Sequence, residues 1–592
     1  MIREILLNLK IFFDTNTKYY LSIFALQLAF FFSALFELIG VLMLGPLIFV
    51  TTNYTEAYQN SYVQIFNQLL NIDSQYELVA SVFLLTILLI ILGGVFSVIS
   101  ILLLSKMATS SGVVLGNRLL EGYMKLTWKD ITEITESKAI NEIYQESSRV
   151  TQNVLVPMLM INKNLILFSF IILGLLLVDP FMTLYFFLFL CGSYIAIYFF
   201  FRARLYNNSE KLTAVHELRL SYLSDIFKLF KQIKVWNTQN YFLKGFDDAS
   251  QNWGRVYKQN LNISLLPRYF VEILILLGCC VGIISIFFSN GDISDTIPKI
   301  SIFAFSAFKL LPAVQGMYYS TSQIRGNIFS LSSILETLNS FSKTPLDFSA
   351  KIDVVKSIEF RDVNFNYGGA NAFSLKGINF SISNNKLIGI SGHSGSGKST
   401  FLNILLGLIE ASNGKIFVNN ELTQIHENKE WFSKISYAPP KTYFINDTLR
   451  TNIYLNKDSD ISSDQLMKFS NIDFIQNAGL DEIHRDDSFS EGQMQRLGLG
   501  RAFAKGSSDI FVFDEPTSSL DTLNRNYILN SLYNLSKSKI VIVVTHDLEL
   551  LHHCDEIFIF NDGELEIYSS FKEAASKSYQ LKNLIDANEK SK

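Results

Sequence analysis

The stretch Gly392-His393-Ser394-Gly395-Ser396-Gly397-Lys398-Ser399-Thr400 fits the pattern G-x-x-x-x-G-K-[ST]. Glycines at that spacing let the main chain close around an anion, with successive N–H groups and a helix N-terminus aimed at it. Lys398 supplies a point charge for β- and γ-phosphates, and Ser399 an oxygen for Mg²⁺. Further on, an apolar run Ile510–Phe513 ends in Asp514 and Glu515. Asp514 is placed to hold Mg²⁺ through water, and Glu515 to polarise an attacking water as general base. Ser490, Gly492 and Gln493 stand just before or at the start of a helical run, a second place for a phosphate to meet a helix N-terminus. Asp521 follows the carboxylates, and His546 ends the apolar run Val541–Val544, where it can contact a γ-phosphate. Tyr367, about 25 residues before the loop, can stack on a purine.

These residues need elements to hold them. Lys386–Ser391 reads as a buried strand and Phe401–Leu406 as a helix, so the Gly-rich loop has the strand–loop–helix setting its chemistry requires. Runs of both kinds alternate through residues 356–592, the pattern of an α/β domain.

The chain is 592 residues long, too long for one core. Hydrophobic residues make up 49% of it, with 50 Phe, and they gather in the first half. That composition points to membrane spans. A net charge of −4 gives no basic surface for nucleic acid. Cys191, Cys279, Cys280 and Cys554 form no C-x-x-C pair and read as small apolar residues.

Six apolar segments, roughly 20–50, 77–105, 155–178, 180–202, 263–289 and 295–318, are each long enough to cross a hydrocarbon core of ~30 Å. Residues 1–19 read as an amphipathic helix on the membrane face. The 51–76 loop and the Asp179-Pro180 turn carry no Lys or Arg, whereas the 106–154 and 203–262 loops are rich in them. The basic loops therefore belong inside, with both termini cytoplasmic. The long inside loops read as helical extensions of the spans, and residues 58–70 as an outer surface helix. Charges within or at the ends of spans are candidates for function: Glu37, Arg268, Glu272 and Lys309. Arg268 and Glu272 are four apart and share a helix face. Pro46, Pro267 and Pro312 mark expected kinks.

The second half resembles the nucleotide-binding domain of an ABC transporter. FSEGQ (489–493) stands where that superfamily carries its LSGGQ-type signature, SSLD (518–521) resembles its D-loop, and His546 its switch histidine. Six spans followed by such a domain is the half-transporter exporter layout, so the resemblance covers the whole chain. It implies ATP and Mg²⁺ as cofactors. It also implies a dimer, with a second copy or a related half-transporter, in which each ATP lies between one subunit's Gly392–Thr400 loop and the other's Ser490 segment. The membrane half is similar to the PglK-type lipid-linked oligosaccharide flippases of bacterial N-glycosylation: Phe36–Gly40 with Pro46, Leu266–Glu272 and Ser301–Pro312 carry that likeness. It implies that Arg268 and Lys309 line a cavity and bind an anionic, lipid-linked headgroup. Gly316 falls where one more basic residue is expected.

The expected fold is thus a six-helix transmembrane exporter domain (1–328), a linker (329–355) and an α/β P-loop NTPase domain (356–592). The expected function is ATP hydrolysis driving export or flipping of a lipid-linked oligosaccharide or other glycoconjugate, in a bacterial cytoplasmic (inner) membrane. A peptide or lipid exporter is the second reading, and a weakly hydrolysing regulatory or assembly subunit the third. Pro440 occupies the position where ABC domains usually have a Gln that contacts Mg²⁺ and relays movement, and proline offers no side-chain donor or acceptor. The stretch Asp481–Ser488 is also shorter than usual. Both departures predict slow or loosely coupled hydrolysis.

Overall fold

The structure is a computed structural model. It describes residues 17–52, 61–70, 74–273, 293–341, 352–368, 374–455, 461–472, 474–475, 479–484 and 488–590. Most of the expected helix at 1–19, most of the fifth expected span, Cys279, Cys280 and residues 342–351 of the expected linker lie outside them, while linker residues 329–341 belong to the helix Ile328–Phe341. Packing divides the chain into two units: residues 1–126 with 133–344, and residues 127–132 with 345–592.

The first unit is helical. Ser74 opens the helix Gln75–Met124 with a reciprocal capping box to Glu77. Asp179 accepts from the Met182 N–H and Pro180 takes the first position of Pro180–Lys228, so the chain reverses there without losing a main-chain bond. A helix of 50 residues is about 75 Å long, well over twice a hydrocarbon core. Its first half turns Phe83, Leu84, Leu88, Ile91 and Val98 outward, an apolar exterior that water would not tolerate.

Among the described residues, four helices are long and apolar enough to cross a membrane: Tyr20–Thr51, Tyr76–Met124, Glu136–Val178 and Pro180–Lys228. The sixth expected span forms the helix Ile293–Gly326, which is not among those four. It runs through Pro312 unbroken. At Pro46 and Pro267 the expected interruptions are present, as turns at Met43 and Leu266. A short helix, Ser61–Leu70, occupies the loop after the first span.

Beyond the apolar segments the first unit is held by buried polar bonds. Arg149, bracketed by π-turns at Asn141–Glu146 and Thr151–Leu155, pairs with Glu146 at 3.4 Å. Its Nε donates to Asn327 Oδ1 at 2.7 Å. Such a buried cation needs every one of these partners.

Among the described residues the second unit has three sheets, the smallest an antiparallel pair of β7 Asp447–Thr448 and β8 Ile483–His484. Another is antiparallel, with strand order β2-β1-β4-β5: β1 Ser357–Asn366, β2 Ser374–Ser383, β4 Asn413–Val418 and β5 Glu421–Leu422. The third has order β12-β11-β3-β10-β9-β6: β3 Lys386–Gly392, β6 Ile435–Ala438, β9 Ile510–Asp514, β10 Ile540–Val544, β11 Glu556–Asn561 and β12 Glu564–Tyr568. β12 is its only antiparallel member, on the edge. The central strand β10 is buried along its whole length, which is why it reads as an unbroken Ile/Val run. Phe360, Phe380, Phe401, Phe558 and Phe560 fill the space between the two larger sheets. A helical block, with Leu449, Ile453, Leu466, Ile472 and Leu497 at its centre, carries the helix Glu491–Ala504.

Candidate functional site

Three adjacent parallel strands end together. Ile390 of β3 lies beside Val544 of β10, and Val544 beside Asp514 of β9. The loop after β3, the carboxylates ending β9 and the imidazole after β10 therefore share the carboxyl edge of the sheet, where open α/β sheets bind ligands.

The loop is built to approach a ligand with bare main chain. Gly392, Gly395 and Gly397 have φ of 148°, 80° and 116°. A Cβ on Gly392 would stand 2.4 Å from the Phe560 carbonyl oxygen, so only glycine fits. Gly397 precedes the helix Lys398–Leu405. Ser396 Oγ is buried and has no hydrogen-bond partner among the described residues. Lys398 Nζ donates to the carbonyls of Gly392 at 2.6 Å and His393 at 2.9 Å, which holds the ammonium at the mouth of the loop. Its burial lowers its pKa, against the pull of Glu515 and Asp514. A cradle of this shape with a lysine and two nearby carboxylates suits a nucleotide phosphate and its Mg²⁺.

Asp514 is raised above the ordinary carboxylate range by burial, while the Tyr437 hydroxyl, 3.4 Å from Oδ2, and Lys398 oppose that. Glu515 is raised by burial first and by Asp514 second. It adopts φ 52°, uncommon for a residue with a Cβ. Its N–H donates to Val544 O at 2.8 Å. His546 Nε2 lies 3.8 Å from Glu515 Oε1. Burial and Lys398 lower the imidazole's pKa.

The remaining expected residues take several positions. His393 pairs with Asp562 at 3.2 Å, outside the loop's mouth. Tyr367 is half exposed, edge-on to Phe365, with its hydroxyl 3.4 Å from Thr400 Oγ1. Ser399 starts the helix after the loop, beside Lys398. Ser490 and Gln493 form a capping box on their own helix, side chain to main chain in both directions. A Cβ on Gly492 would come within 2.8 Å of Ser519 O. Asp521 caps the helix Thr522–Ser536 through Asn524, which lowers its pKa.

Three residues that sequence reasoning did not single out belong with the site. Gln495 is buried and bonds the main chain after β9. Tyr437 reaches Asp514. Asp547 gathers Thr517 at 3.0 Å and the Arg525 guanidinium. A Gln or Tyr in an otherwise apolar stretch is the signal that could have marked the first two.

In the helical unit, Arg268 meets Glu272 at 3.6 Å, as their spacing predicts. Lys309 meets Glu37 at 3.2 Å, a pairing across distant segments that spacing could not reveal. Lys163, also not foreseen, donates to Ser97 Oγ at 3.1 Å. Gly316 packs against Asn164, whose Nδ2 would be 2.5 Å from an added Cβ, so a basic side chain there would need Asn164 to move.

The ABC transporter family profile matches residues 375–518, from β2 through the carboxylates. An uncharacterized ABC transporter ATP-binding protein of Haemophilus influenzae is 26% identical over 356 residues, covering 58% of this chain and 62% of that protein. An ATP-dependent lipid A-core flippase of the same species is 28% identical over 236 residues, 38% of this chain and 40% of the flippase. The solved structure of a bacterial Atm1-family ABC exporter with ATP bound has the same fold, with a TM-score of 0.77 over 94% of this chain and 97% of that one, at 18% identity. Residues 375–518 thus match an ABC transporter domain, and the chain has the fold of a solved ABC exporter; it spans about three fifths of the length of the first of these relatives.

Proposed function

We propose that the protein is an ATP-driven exporter or flippase that works as a homodimer in a bacterial inner membrane. What carries this reading is the convergence of Lys398, Asp514, Glu515 and His546 on one edge of a sheet, in a chain that also has helices of membrane length. The domain limits proposed are 1–328, 329–355 and 356–592, with six spans and both termini cytoplasmic. Bound Mg²⁺ would neutralise phosphate charge, held by Ser399 directly and by Asp514 through water. The glycine-rich main chain and Lys398 orient the phosphates of ATP. Glu515 takes the proton from the attacking water, and His546 contacts the γ-phosphate. Ser490, Gly492 and Gln493 complete the site of the second subunit, Tyr367 stacks on the base, and Asp521 lies at the shared boundary.

The cargo proposed is a lipid-linked oligosaccharide or similar glycoconjugate. A relative named as a lipid A-core flippase supports an amphipathic cargo. Lys309 and Arg268, with Glu37 and Glu272, place charge among apolar helices where a headgroup could be met. The test is flipping of a fluorescent lipid-linked oligosaccharide in proteoliposomes: ATP-dependent translocation is expected, and its absence beside translocation of a peptide or simple lipid would move the cargo to the second reading. A regulatory or assembly subunit is favoured only by Pro440. Vanadate-sensitive ATPase activity in lipid argues for the transporter, and its absence for the subunit.

A further inference from the structure

The chemistry of Gln495 exceeds what packing requires. The residue lies in the helix Glu491–Ala504, 7% exposed, and an amide buried that deeply destabilises the fold unless its bonds are met. The three bonds its side chain makes to this segment all leave its own helix. Nε2 donates to Glu515 O at 2.6 Å and to Ser518 Oγ at 3.0 Å, and Oε1 accepts the Ser519 N–H at 3.0 Å.

All three partners lie in the few residues that follow β9. Glu515 is held there in the left-handed region, a conformation that costs a residue with a Cβ about 1–2 kcal/mol and must be imposed by its surroundings. Its N–H is fixed by Val544 O, and its carbonyl by Gln495 and by Ser518 Oγ at 3.2 Å. The peptide planes on both sides of Glu515 are thereby set, and with them the direction in which its Cα–Cβ bond leaves the main chain. A second observation points the same way: Gly492, one turn earlier on Gln495's helix, has no room for a Cβ against Ser519 O. Helix and segment are in main-chain contact.

We propose that Gln495 is a positioning residue for Glu515: its amide holds the Glu515–Ser519 segment against the helix that begins at Ser490, so that the base and the second phosphate-facing element move as one piece. The proposal rests on the reading of Glu515 as the general base.

Gln495→Met keeps length and helix compatibility but removes every hydrogen bond. In the full-length protein in lipid nanodiscs, kcat for ATP should fall about 10- to 100-fold, the usual effect of a base displaced by around an ångström. ATP affinity, read with a fluorescent nucleotide, should stay within about twofold, because the phosphate loop is untouched. Without nucleotide, amide exchange in peptides covering 515–521 should rise about tenfold or more, since the Ser519 N–H loses its acceptor, while 510–514 should not change. If the Met variant does not fold, Gln495→Asn, a methylene too short to reach, should behave in the same way. Wild-type turnover, or unchanged exchange at 515–521, overturns the proposal. Glu515→Gln is measured alongside: if that variant keeps turnover, the base assignment itself fails, whereas a dead Glu515→Gln with a wild-type Gln495→Met sinks only the positioning role.

Discussion

His546 Nε2 and Glu515 Oε1 stand 3.8 Å apart, just past the ends of neighbouring strands β10 and β9, with both groups moved toward their neutral forms: burial lowers the imidazole and raises the carboxyl. Glu515 acts as a base only when ionised. Acidification should therefore remove ATPase activity at a higher pH than an exposed Glu, whose pKa is about 4.3, would allow. A kcat–pH profile on protein in nanodiscs checks this, and an acid limb in the ordinary carboxylate range would count against the buried base.

The same burial has a stability side. A carboxyl whose folded pKa lies above its unfolded value binds its proton more tightly when folded, so the ionised form at neutral pH weakens the fold and stability rises as pH falls through the folded pKa. Glu515→Gln should stop turnover, trap ATP and raise the melting temperature by a degree or more. A variant that melts lower than wild type at pH 7 would show that the ionised carboxylate stabilises its surroundings.

Pro440, two residues beyond the end of β6, has no polar side chain, and among the described residues the polar contact from β6 to Asp514 is the long one from Tyr437. Pro440→Gln is expected to raise ATPase turnover severalfold in lipid. Exporter-like turnover in the wild type, unchanged by this substitution, would remove Pro440 as the cause of slow hydrolysis.

Trp431 is fully buried, and its Nε1 donates to Leu405 O at 2.9 Å, joining the core between the sheets to the end of the helix after the phosphate loop. Trp431→Ala should destabilise the cassette by about 3–5 kcal/mol. Trp431→Phe should cost about 1–3 kcal/mol through the orphaned carbonyl. Denaturation followed by ATP-binding loss in the full chain measures both, and equal losses would show that the hydrogen bond, not volume, decides.

Cys554 is buried, and its Sγ donates to Leu550 O at 3.3 Å. Burial pushes the thiol well above its usual pKa. A variant retaining Cys554 as its single cysteine should resist maleimide at neutral pH until it is unfolded; rapid labelling of the native protein would refute the burial.

Much of the cassette could be read from the chain because its chemistry is local. The loop from Gly392 to Thr400, its strand and its helix are contiguous, and Asp514, Glu515 and His546 each end an apolar run. Period and punctuation therefore placed them. What escaped reading was long-range. Gln495 serves a segment twenty residues away, and Lys309 finds Glu37 across 272 positions. No helix or strand period encodes such partners. The Arg268–Glu272 pair was legible because four residues make one helical turn.

Residues 127–132 pack with the cassette, and the Trp128 main-chain N–H favours the ionised form of the Glu427 carboxylate, against the burial that raises its pKa. The ribosome delivers this short piece long before β1, with most of the apolar helices still to come. The packing of 127–132 against the cassette can form only once the cassette's own strands have been made, long after that segment. A cassette produced alone from residue 345 would leave Glu427 without that donor, and it would be a subtly different molecule from the one the cell assembles.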